Sequence, residues 1–156
     1  MTSWSSVEIK AVTDEAPTVA FSDADVIFAP DALRSRVASA VEATGFDAKP
    51  GRWLDLIGEG GDRIVVVAVG AKDSADRWRN AGGHLVDAIR ALTLKALRLP
   101  AASDLGIGDA LADIIEGALL HGFRLDQGRR DPAPGQVDAA LYIAEDDLAL
   151  ADRAQD

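Results

Sequence analysis

The clearest pattern along the chain is a change of period. Val7, Ile9 and Ala11 alternate with polar neighbours, and Asp25 to Ala29 adds a short apolar run closed by Pro30, so two strands open the chain. From Asp31 the spacing becomes Leu33, Val37, Ala40, Val41, a helix behind an Asp31 cap that ends at Gly45. Trp53–Ile57 and Ile64–Val69 read as strands joined across Gly58, Glu59, Gly60, Gly61 and Asp62. The second of these strands is apolar at every position, as in a sheet covered by helices on both faces.

A helix capped by Asp73 or Ser74 follows, with Trp78, Ala81, Leu85, Ile89 and Leu92 on one side. Leu97 and Leu99 form a short strand ending at Pro100. Asp104 then leads a helix with Ile107, Leu111, Ile114, Ala118 and Leu119 inward. Gly128–Gly135 is a loop, and Val137–Ala144 is a last strand. Glu145, Asp146 and Asp147 place acids in the first turn of a closing helix, where the macrodipole favours them. The predicted order is ββαββαβαβα, an α/β fold without internal repeats or linkers.

With 156 residues, 48% of them apolar, the chain has enough material for one shared core. Sixteen basic residues against 26 acidic ones give a net charge of -10, which repels a phosphate backbone, so nucleic acid is not an expected partner. The basic runs Arg77 with Arg79 and Arg129 with Arg130 lie beside acids and read as solvated surface. The absence of cysteine excludes disulfides and thiolate chemistry. No apolar stretch in the first 20 residues suits a signal peptide or a membrane span, and the expected location is the cytoplasm.

The candidate sites are each outweighed by a structural reading. Gly58 to Gly61 could cradle a phosphate, but a strand follows where a phosphate loop needs a helix, and Glu59 and Asp62 repel an anion. Gly70 with Ala71, Lys72 and Asp73 lies between a buried strand and a helix, a usual ligand position in α/β folds, although it lacks the GxGxxG spacing. His84 and His121 have no neighbour at metal-ligand spacing and read as surface or capping residues. Glu145, Asp146 and Asp147 lack the pattern of a calcium loop, and no serine sits in a GxSxG elbow. No residue is therefore assigned as catalytic, cofactor-binding or metal-binding. Gly82 and Gly83, costly inside a helix, call for close packing on the sheet or on another subunit.

Two runs carry a family likeness. Arg63-Ile-Val-Val-Val-Ala-Val-Gly-Ala-Lys72 followed by Trp78-Arg-Asn-Ala-Gly-Gly83, and Glu116-Gly-Ala-Leu-Leu-His-Gly-Phe-Arg-Leu-Asp126, resemble the N-terminal domain of the leucyl aminopeptidase metallopeptidases, with Leu125 where the family usually has Phe. Over roughly residues 7 to 150 the resemblance implies a three-layer, macrodomain-like mixed sheet flanked by helices. It also implies a non-catalytic assembly or regulatory role, with residues 1–144 forming the domain and 145–156 starting an interdomain helix. The two divalent metals of the family, zinc or manganese, belong to its catalytic domain, whose Asn-Thr-Asp-Ala-Glu-Gly-Arg motif is absent from these residues. The partners implied are that catalytic domain or other subunits. Some family members bind DNA, a role the acidic balance here opposes. The alternative is a stand-alone module that binds a nucleotide or ADP-ribose.

Overall fold

The computed structural model describes residues 7–11, 16–23, 25–47, 49–58, 63–70, 76–101, 103, 109–127, 139–143 and 147, for 7–11, 122–127 and 139–140 the backbone alone, and among the described residues it has seven strands and three long helices. The strands are β1 (Val7–Ala11), β2 (Thr18–Ser22), β3 (Ile27–Phe28), β4 (Trp53–Ile57), β5 (Arg63–Ala68), β6 (Ala96–Arg98) and β7 (Ala139–Ile143). The helices are α1 (Asp31–Thr44), α2 (Arg77–Leu92) and α3 (Ala110–Gln127).

The sheet runs β1-β7-β6-β2-β5-β4, with β3 paired to the end of β2. All neighbours are parallel except β4 on β5 and β3 on β2, so the sheet is mixed. Its centre is β2, which pairs with β5 through Thr18 to Ser22 and touches β6 at Arg98. This central strand corrects the expected order. Thr-Val-Ala-Phe-Ser is a five-residue run without the polar alternation of a half-buried strand, because both of its faces are covered. The expected strand at Asp25–Ala29 shrinks to Ile27–Phe28, the return arm of a turn.

Alternation of side chains along the strands divides the core. Val19, Phe21, Val65, Val67, Leu97, Leu141 and Ile143 face α2 and α3, whose Leu85, Ile89, Leu111 and Ile114 are buried against them. Ala20, Ile64 and Val66 point the opposite way and meet Val37, Leu33 and Val41 of α1. These are the three layers that the apolar run Ile64–Val69 implied.

Helix boundaries also depart from expectation. Pro30 occupies the N-cap of α1 and no side chain caps it, while Asp31 sits in the first turn and pairs with Arg34 at 3.0 Å. Gly45, with φ of 69°, ends the helix as expected. The expected caps Asp73 and Ser74, and likewise Asp104, Ile107, the Gly128–Gly135 loop and Glu145–Asp146, lie outside the described residues.

The glycine pair of α2 has a different partner from the two anticipated. A Cβ on Gly82 would strike the backbone carbonyl of Ile114, and one on Gly117 would strike the carbonyl of Arg79. Two helices thus approach backbone to backbone at a mutual pair of glycines, and Gly82 packs on α3. Gly83 faces His121 with ordinary spacing.

Candidate functional site

Parallel strands β2 and β5 end side by side, yet the chain leaves β2 through β3 for α1 on one face and leaves β5 for α2 on the other. Such a switch point opens a crevice at the carboxyl ends of the strands, the usual ligand position in open α/β sheets.

Among the described residues, this end of the sheet carries a buried ion pair and three packed aromatic rings. Val69 N–H donates to Ser22 O at 2.9 Å, holding the two strand ends together. Beyond Ser22 the backbone turns around Asp23, whose Oδ1 accepts the N–H groups of Asp25 at 2.7 Å and Val26 at 2.6 Å. Its Oδ2 accepts Arg77 Nη1 at 3.0 Å, and the same nitrogen reaches Gly70 O at 3.4 Å. The guanidinium lies 4.9 Å from the ring centre of Trp78 and 5.5 Å from that of Phe28. Phe28 and Phe21 in turn meet Trp78 edge-on at 4.9 and 5.8 Å.

Side-chain exposure is 7% for Arg77 and 10% for Asp23, so this pair is buried, and the reading of Arg77 as solvated surface is corrected. Its hydrocarbon stem and aromatic neighbours make burial tolerable, and the carboxylate neutralises the charge. Burial pushes the Asp23 carboxyl up, but the two backbone N–H donors and Arg77 outweigh it and hold the group below the ordinary Asp value. Arg79 remains on the surface, bonded to Asp76 at 2.8 Å and Glu116 at 3.1 Å.

The positions singled out by sequence fall around this crevice. Gly70 lies at its rim, with Pro50 and the Arg77 stem where a Cβ would point, 3.7 and 3.8 Å away; Ala71 to Asp73 are outside the described residues. Gly58 is covered by the Arg36 guanidinium, which fills the space of its missing side chain. The two histidines, unrelated in sequence, are brought together. His121 Nε2 lies 2.7 Å from Asp87 Oδ1, and the His84 ring faces Gly51. Burial lowers the His84 pKa, opposed by Asp87 and reinforced by His121. Around Arg79, Asp113 sits with Asp76, Asp109 and Glu116; burial raises its pKa, opposed by Arg79 and reinforced by the three acids. No group of three or more His, Asp or Glu among the described residues is arranged to hold a metal ion.

Sequence reading missed Asp23 and Arg77. Its signal was the Ser22-Asp23 end of an apolar run, which becomes informative only once Thr18–Ser22 is seen as a strand.

Residues 14–132 match the model of the cytosol aminopeptidase family, N-terminal domain. The chain belongs to this family. Solved structures give the fold independently: a tomato leucine aminopeptidase variant is 14% identical with a TM-score of 0.64, covering 96% of this chain and 35% of its own. The bottromycin maturation enzyme BotP is 21% identical with a TM-score of 0.60, over 89% and 29% of the two chains. A macrodomain variant of Oceanobacillus iheyensis with ADPR is 11% identical with a TM-score of 0.57, over 96% and 91%. No curated relative matches by sequence. The chain therefore spans about a third of the length of the two enzymes it resembles and nearly all of a macrodomain. The expected macrodomain-like, three-layer fold holds. No described helix is long and apolar enough to cross a membrane.

Proposed function

We propose that this domain serves a cytosol aminopeptidase-type enzyme as a non-catalytic assembly module, organising subunits or the catalytic half and leaving peptide hydrolysis to residues outside it. The single observation that carries the reading is the buried Asp23–Arg77 pair. At the position where the fold would receive an anionic ligand, the Arg77 guanidinium is committed to an internal carboxylate. Nucleophile, general base and oxyanion donors would have to converge on an accessible point, and among the described residues the switch point presents packed aromatic rings. On this reading the paired zinc or manganese ions and the release of N-terminal amino acids belong to the catalytic domain of the family, and residues 145–156 lead toward it. The proposed setting is the cytoplasm.

The native gene product tests this. An antibody raised against the chain should recover a species about three times its 16.4 kDa mass, as the 35% coverage of the tomato enzyme suggests, and native mass spectrometry should show an oligomer. A monomer of 16.4 kDa as the sole product would refute the assembly role.

The second reading, a nucleotide or ADP-ribose binding module, is favoured by the likeness to a macrodomain solved with ADPR. On this reading a phosphate that reached Arg77 would compete with the Asp23 carboxylate for it. Calorimetry with ADP-ribose separates the two readings: heat at micromolar ligand supports binding, and no heat or thermal shift at millimolar ligand ends it.

A further inference from the structure

Three elements meet at His84. The ring stands over Gly51, with Cε1 and Nδ1 3.7 and 3.8 Å from where a Gly51 Cβ would be. Gly51 has φ of 90°, a backbone shape reserved almost entirely for glycine, and it is held by an Arg52 N–H to Lys49 O bond of 3.1 Å. This turn is fastened to the crest of the sheet in two ways. Ala68 N–H donates to Arg52 O at 2.9 Å, and the Pro50 ring lies against Gly70, which also carries the Arg77 stem. His84, Gly51, Pro50, Gly70, Arg77 and Asp23 are thus neighbours in succession.

The charges around His84 are unbalanced. From its own helix it faces Asp87, which is already engaged by His121 of α3 at 2.7 Å. On the turn, Lys49 and Arg52 are both cations, and both lean on Asp47, at 3.8 and 3.4 Å. Among the described residues one carboxylate, Asp87, therefore neighbours two imidazoles, and its Oδ1 is taken by His121.

We propose that His84 is a proton-operated latch for the Lys49–Gly51 turn: when charged it leaves its seat on Gly51, and the released turn shifts Pro50 against Gly70 at the rim of the crevice. The neutral ring is the seated form. Half-burial disfavours its charge, so the latch operates below the pH at which a free histidine titrates.

Amide NMR of the whole chain, followed from about pH 8 to about pH 5, tests the latch. The Gly51 and Gly70 signals should move together, with one midpoint below 6.5, the ordinary histidine value. His84→Gln should abolish both movements, with His84→Asn as the alternative should the first variant fold poorly. His121→Gln should keep them and raise the midpoint, because a like charge is removed and Asp87 is freed. A Gly70 signal that stays fixed in the parent chain, or that moves unchanged without His84, overturns the proposal.

Discussion

Adjacent glycines in α2 should respond to the same substitution with opposite sign. In Gly82→Ala the new methyl would strike Ile114 O, with Ala118 N at 2.8 Å and Ile114 C at 2.9 Å, all backbone atoms that no rotamer change can move. Overpacking of a tight interface costs about 1–3 kcal/mol, and this clash belongs at the upper end. Replacing glycine inside a helix returns about 1 kcal/mol, so the net loss is about 2 kcal/mol. In Gly83→Ala the methyl meets His121 Cβ at 3.6 Å, an ordinary contact, and the helix gain stands alone at up to about 1 kcal/mol. Urea unfolding reads both. With a slope of about 2 kcal/mol/M, the first variant should lower the midpoint by about 1 M and the second raise it by about 0.5 M. Equal shifts, or a stabilised Gly82→Ala, would refute the close helix crossing.

Asp23→Asn leaves the Arg77 charge buried and unpaired, and should cost about 3–5 kcal/mol by the same assay, with little further loss when Arg77→Met is added. Because the folded pKa of Asp23 lies below its unfolded value of 3.8, its contribution is complete above that pH and fades on acidification through the folded value; stability titrations of parent and Asp23→Asn should converge in strong acid. His84 is also depressed, which for a base means that protons favour the unfolded chain. Stability should fall as pH drops through 6.5, and His84→Gln should flatten that slope in thermal melts. Gly117→Ala, which directs a methyl into Arg79 O from the other helix, should lower the melting temperature by about 4–8 °C.

The legible part of this protein was the part governed by period. The α2 face from Trp78 to Ile89 and the apolar run of β5 from Ile64 were visible because burial repeats with the geometry of the element. The central strand β2 escaped because covering both faces removes alternation, and the short run between two charged segments lacked the length to stand out. The likeness of Arg63–Gly83 and Glu116–Asp126 to aminopeptidase N-terminal domains rested on segments that fold into β5, α2 and α3, the elements that build the larger core. The crevice was not legible. Asp23 and Arg77 are 54 positions apart, and Arg77 beside Arg79 has the local look of a wet surface; only the strand order turns one of them inward. The same holds for His84 and His121, whose meeting depends on where α2 and α3 cross.

Peptide hydrolysis by the isolated 156-residue chain is the most direct test of its proposed role. Incubated with leucine p-nitroanilide and either manganese or zinc, it should release no p-nitroaniline above a metal-only control. Metal-dependent turnover that copurifies with the chain would contradict a scaffold that leaves the chemistry to other residues.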